Sequence, residues 1–177
     1  MHHYEGASFL INNFIMGELY RIETEKIVSG NYLHKGSESL TSWSGNLPLL
    51  TSSYEMFADC SNLTTFNGDL SNLTKDAGVS GRIEVHAYEY ESGENIYEEY
   101  NMSQGMFEGC HNLNSIETNL NSLTHGGCMF SNCTSLTQWN IPLPALTHGE
   151  GMFSESGLVS FTQPLNSLQV GGMAGCR

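Results

Sequence analysis

The sequence predicts a solenoid, a chain that makes one coil per repeat of about 23 residues. Two observations predict it. A short unit, Met-Phe-x-x-Cys-x-x-Leu, returns as Met56-Phe57…Cys60…Leu63, Met106-Phe107…Cys110…Leu113 and Met129-Phe130…Cys133…Leu136. The starts Met106, Met129 and Met152 lie 23 residues apart. The second observation is the apolar pattern after each unit. Leu63 is followed by Phe66, Leu70 and Leu73, Leu113 by Ile116, Leu120 and Leu123, and Leu136 by Trp139, Leu143 and Leu146. Neither period 2 nor period 3.6 accounts for these positions. A coil that points them all inward does, and stacking closes a core that one repeat cannot close alone. Strands stacked in this way lie about 4.8 Å apart.

The frame runs in both directions. Leu40, Trp43, Leu47 and Leu50 sit at the same offsets, so the array starts by about residue 33, with Leu33 in the Met slot and Ser37 in the Cys slot. The fourth copy, Met152-Phe153…Ser156, lacks its Cys and one residue before Leu158, and Phe161, Leu165 and Leu168 follow. A fifth, Met173…Cys176, lacks the Phe. Cys60, Cys110, Cys133 and Cys176 share one slot, which predicts a buried column of small, free hydrophobes. Cys128 lies off that column.

Met-Phe-x-x-Cys-x-x-Leu-x-x-Phe, followed by Leu-x-x-Leu-Thr-x-Gly, resembles the BspA-like leucine-rich repeat. The resemblance covers about residues 33–177, less one insertion. It implies a short strand at Leu-x-x-Phe and a turn or short helix at Met-Phe-x-x-Cys, hence a β-rich α/β solenoid of leucine-rich repeats. It also implies the company of bacterial or protist surface proteins and phage structural proteins, which bind or adhere and are not typically enzymes. The missing Cys of the fourth copy and the missing Phe at Met173 depart from the pattern.

Composition agrees with a binding or structural role. The chain has 177 residues and a net charge of −13, with only 14% charged residues. Such a chain repels phosphate backbones, so no nucleic-acid partner is expected. No stretch is long and apolar enough to span a bilayer, so no membrane insertion is expected. Nor does a secretory signal stand out, since Asn12-Asn13 interrupts the apolar run 7–16.

Residues 1–32 precede the repeat and read as an N-terminal cap over the first coil, or as an attachment segment. Ser8 is a candidate N-cap for a short helix through Phe9, Leu10 and Phe14. From Leu73 to Met106 the chain takes 33 residues where Leu123 to Met129 takes six, an excess of 27 at about 76–102. Within it, 82–90 and 96–100 alternate around a Glu-Ser-Gly-Glu-Asn turn, the pattern of a β-hairpin. Insertions in repeat proteins map to loops, often on the binding face. This one carries Tyr88, Tyr90, Tyr97 and Tyr100, half of the eight tyrosines, beside Glu84, Glu89, Glu91, Glu94, Glu98 and Glu99. Tyrosine supplies rigid contact area at low entropy cost. The sequence stops at Cys176-Arg177, where a further strand is due, and the expectation is a longer natural protein.

A second candidate surface is the outward ladder Ser42/Ser44, Thr65/Asn67, Ser115/Glu117, Gln138/Asn140 and Ser160/Thr162. Short hydroxyl and amide groups, with Asn67, Glu117 and Asn140 the longest reaching, suit hydrogen bonding to a glycan or a protein edge, although solvation alone explains them as well. His125 and His148 share a slot in adjacent repeats with Cys128 nearby, but duplication accounts for the recurrence and no fourth ligand is evident. No metal, cofactor or catalytic residue is therefore expected. The reading is a non-enzymatic module on a virion (phage fibre, tail or decoration protein) or extracellular surface, with protein partners and a host glycan or receptor as further ligand classes. The alternative is a fragment of a bacterial cell-surface adhesin. A glycan-acting enzyme using the insertion's carboxylates stands further off, because no paired-acid geometry is readable.

Overall fold

The structure is a computed structural model that describes residues 27–76 and 105–171, together with the backbone of two strands in between, Arg82–Tyr88 and Asn95–Asn101. The expected cap at 1–26 and the fifth copy at Met173 and Cys176 lie outside the described residues. Five short strands follow the repeat: β1 (Ser42–Ser44), β2 (Thr65–Asn67), β5 (Ser115–Glu117), β6 (Gln138–Trp139) and β7 (Ser160–Phe161), with β3 and β4 the two strands just named. β1, β2 and β5 form one parallel sheet and β6 and β7 a second, while β3 and β4 pair antiparallel.

Register gives the repeat directly. Trp43 pairs with Phe66, 23 residues on, and Phe66 pairs with Ile116, fifty residues on. The isolated bridges Ser29–Ser52 and Lys75–His125 take the same two steps. The 27 extra residues are therefore looped out and the coils on either side stay in phase. From the fourth copy on the step is 22, as in Trp139–Phe161 and His148–Val170, which absorbs the residue missing before Leu158.

The core follows from the slots. Leu47, Leu50, Leu70, Leu73, Leu120 and Leu123 are fully buried, as are Met56, Met106 and Met129. The second residue of each unit builds an aromatic spine: Phe57, Phe107, Phe130 and Phe153 stack at 5.3–5.5 Å, within 5–11° of parallel. His34 fills this slot in the first coil and stacks on Phe57 at 5.2 Å. Trp43, Phe66, Trp139 and Phe161 meet the spine at steep angles from the strand side. Offset-parallel and edge-on contacts are the arrangements that ring quadrupoles favour, worth about 0.5–1.5 kcal/mol per pair beyond area burial.

The Met-Phe-x-x-Cys segment is a run of tight turns, and the described residues contain no helix. This corrects the α half of the expected α/β class. The reason lies in the backbone: two left-handed residues recur four positions apart in most coils. Tyr32, Glu55, Cys128 and Gly151 form one set, and Gly36, Asp59, Gly109, Asn132 and Glu155 the other. A right-handed helix cannot pass through them. Bonds from residue i+3 to residue i close each turn, as in Met56 N to Ser53 O and Cys60 N to Phe57 O. Gly109 has a second reason to be glycine, because a Cβ there would lie 2.6 Å from Asp59 Oδ1.

The turn side forms the longest continuous ladder. His34 N donates to Met56 O, Phe57 N to Met106 O, Phe107 N to Met129 O and Phe130 N to Met152 O, at 2.8–3.0 Å. The strand side is broken, since β5 and β6 do not pair. The break falls where a slot held by Gly45 and Gly68 passes to Thr118 and Ile141. A Cβ on Gly68 would lie 2.5 Å from the Gly45 carbonyl, so this slot stacks tightly only without side chains.

Side chains bind the coils together as well. Cys60, Cys110 and Cys133 are free and buried. Each donates its S–H to the carbonyl of the spine residue one coil earlier: His34 at 3.0 Å, Phe57 at 3.1 Å and Phe107 at 3.2 Å. Threonines 51, 64, 124, 134 and 147 donate to the carbonyls of Val28, Thr41, Thr74, His111 and Thr124 on the preceding coil. Cys128, off the column, is disulfide-bonded.

Candidate interaction surfaces

The looped-out segment leaves the stack after Asp76 and rejoins it at Gly105. Asp76 is fully buried and belongs to the stack, its N–H donating to His125 O. Its carboxylate accepts from Ser53 Oγ on the coil before (2.7 Å) and from Met106 N on the coil after (2.8 Å). Glu108, also buried, accepts from Gly105 N at 3.2 Å. Two carboxylates thus hold the amides of the returning strand, standing in for the backbone continuity that the insertion interrupts. Burial pushes the Asp76 carboxyl up to about 7; the Met106 and Ser53 hydrogen bonds oppose this, and Glu108 adds to it. A second buried acid, Glu55, pairs with Lys35.

Beyond this neck, β3 and β4 pair over seven residues each, from Arg82–Asn101 to Tyr88–Asn95. Opposed residues of an antiparallel pair share a face, and successive residues alternate. One face therefore holds Arg82, Glu84, His86, Tyr88, Tyr97 and Glu99. The other holds Ile83, Val85, Ala87, Ile96, Glu98 and Tyr100. The candidate residues split between the two: Tyr88, Tyr97 and Glu99 on the polar face, Glu98 and Tyr100 on the apolar one. Tyr90, Glu89, Glu91 and Glu94 lie outside the described residues. The sequence pattern had grouped these tyrosines and acids by proximity in the chain, and only the strand register separates them.

On the parallel sheets, every outward residue of the ladder from Ser42 to Thr162 is exposed. Asn67 Nδ2 donates to Glu117 Oε2 at 2.9 Å, so these two candidates are brought together on neighbouring strands. Asn140 follows β6 and is not in their sheet. The ladder is two patches, not one continuous face. What sequence reasoning missed is the neck: Asp76 looks like an ordinary loop residue, and only the slot it shares with Ser53 and Gly126 hints that it lies inside.

The family profile described as "BspA type Leucine rich repeat region (6 copies)" matches residues 83–174, more than half of the chain. The chain belongs to the BspA-type leucine-rich-repeat family. The in-phase coils extend the family's repeat upstream of that match, to the Ser29–Ser52 bridge. No curated protein and no solved structure matches the chain. The BspA-type repeat points to a surface or protein-binding module of a kind that is typically non-enzymatic. Among the described residues, no helix is long and apolar enough to cross a membrane.

Proposed function

We propose that this BspA-type chain is a non-enzymatic binding module, a solenoid that presents the β3–β4 ribbon to a protein partner. One observation carries the reading: the register jumps once, from 23 residues to fifty, while the coils on both sides stay in phase. Repeat stacking has no need of the looped-out segment, and two buried carboxylates fasten its neck. An isolated two-stranded ribbon is marginal in water, so an amphipathic one favours a contact surface. Its acids call for a basic partner, with attraction screened over about 8–10 Å at physiological salt. The Asn67–Glu117 patch is a second contact surface, suited to a glycan or protein edge.

The setting we propose is a virion part such as a fibre, tail or decoration protein. A bacterial cell-surface protein is the second reading, favoured by the company that BspA-type repeats keep. The test is deletion of 77–103, which keeps Asp76 and restores the six-residue spacing from Leu73 to Met106. The deleted chain is expected to stay folded and to lose particle incorporation or pull-down of its partner, the intact chain losing it only as salt rises. Normal association by the folded deletion variant would move binding to the parallel-sheet patches.

A further inference from the structure

We propose that His125 and His148 form a two-imidazole clip for a borderline divalent transition-metal ion, zinc being the type case. The residues occupy one slot of adjacent coils and pair across a parallel bridge. Their rings stack at 4.3 Å between centroids, within 3° of parallel, and both are half-buried. Ser52 and Lys75 in earlier coils, and Val170 in the next, confine the arrangement to this pair.

The neighbouring threonines settle which nitrogens carry hydrogen. Thr124 Oγ1 is 2.8 Å from Thr74 O and 2.9 Å from His125 Nδ1. Thr147 repeats this, 3.0 Å from Thr124 O and 2.9 Å from His148 Nδ1. A hydroxyl has one hydrogen and a carbonyl can only accept. Each threonine therefore donates to its carbonyl, and each Nδ1–H donates to the threonine oxygen. Both rings are then neutral with a bare lone pair at Nε2. That is the form in which imidazole ligates a metal, with the other nitrogen held by an oxygen acceptor behind it.

The spacing suits a bite. Zinc–nitrogen bonds of about 2.0–2.1 Å set tetrahedral ligand atoms roughly 3.3 Å apart. A tilt of the stacked rings toward each other, pivoting on the threonine hydrogen bonds, supplies the difference. Electrostatics favours the unprotonated pair at neutral pH: burial, His148 and Lys75 hold His125 below the ordinary imidazole value, and Glu150 opposes them. Among the described residues no third His, Cys, Asp or Glu completes a cage. The remaining coordination positions are open to water or to a donor from a bound partner. Imidazole pairs of this kind select zinc, nickel or copper over magnesium and calcium.

The test is calorimetric titration of the full chain with zinc chloride at neutral pH, with magnesium chloride as the control. One saturable zinc site is expected, absent with magnesium and weakened in mildly acidic buffer. His125→Phe and His148→Phe each keep a ring that can stack, and each is expected to weaken zinc at least about tenfold, the scale on which ligand-set changes act. His111→Phe is expected to leave it unchanged. Long-range proton–nitrogen spectra of the unmutated protein serve if a variant misfolds: both rings should show Nδ1–H alone, and zinc should shift both Nε2 resonances. Absence of saturable binding, binding that survives both substitutions, or Nε2–H tautomers would overturn the proposal.

Discussion

At the first coil His34 stands in the slot that phenylalanines fill in every later one, and Asp76 stands in a slot held elsewhere by Ser53 and Gly126. Both are buried, and their ionisation works in opposite directions. Burial lowers His34 from 6.5 to about 4. The unfolded chain takes up this proton first, so His34 costs stability as pH falls from 6.5 toward 4, by roughly 3 kcal/mol in full. Asp76 is raised from 3.8 to about 7. Its neutral form favours the fold, so its contribution is present in acid and is lost as pH rises from 3.8 to about 7, by roughly 4 kcal/mol. In the unmodified chain the two trends partly cancel. His34→Phe is therefore expected to gain on the parent as pH falls, and Asp76→Asn to gain on it as pH rises. Asn can still accept from Met106 N and turn its amide to Ser53 Oγ. Urea melts between mild acid and neutrality check both signs. Parallel curves for parent and variant would show that the group in question does not titrate in this window. The thiol column gives a separate check. Burial raises Cys60 and pushes Cys133 up to about 12, so the column cysteines should resist a thiol reagent until the chain unfolds.

Each coil is an element built from one strand and one turn, and the turn sets its shape. The left-handed residues carry a cost of about 1–2 kcal/mol for a side chain, and glycine avoids it while giving back about 0.5–1 kcal/mol of chain entropy. Glu155, exposed at φ 54°, is the case with least to lose. Glu155→Gly is expected to raise stability by roughly 0.5–1 kcal/mol in thermal or urea melts. Asn132→Gly should gain less, because Asn tolerates this region. No gain at Glu155 would mean that its side chain makes contacts that outweigh the backbone. The repeat, the buried slots and the insertion were all legible in the sequence, because Leu, Met and Phe recur wherever a coil must fill the core. The turn was not, since Tyr32, Glu55, Asp59 and Glu155 carry no glycine signal for the left-handed backbone they adopt. Nor were the threonine and cysteine bonds between coils, whose acceptors lie about 23 residues back along the chain. The split of the ribbon's tyrosines between two faces needed the strand register.

Over the whole molecule, stability should vary along the stack, because each coil rests only on its neighbours. The middle coils are covered above and below, and Met106, Phe107, Cys110, Leu113, Leu120, Leu123, Met129 and Phe130 are fully buried. In the last described coil Phe153, Leu158, Leu165 and Leu168 are only partly buried, while Val159 is 84% exposed. The apolar area that holds a coil in place thus declines toward that end, and with it the free energy of local opening. Hydrogen exchange should report a gradient. The amides of Phe107, Cys110 and Leu113, bonded within and between coils, are expected to exchange slowest. Those of Val159, Leu168 and Val170 should exchange fastest, although they too donate to backbone carbonyls at 2.9–3.2 Å. Bond geometry is therefore similar at the two places and burial is what differs. Leu136→Ala, made in a well-covered coil, should cost about 2–5 kcal/mol, and should speed exchange in the coils on both sides of it. Asn140→Ala, on an exposed position, should leave stability and the gradient unchanged. Uniform exchange from Phe107 to Val170 would mean that the coils open as one cooperative unit, and the nearest-neighbour account of this stack would then fail.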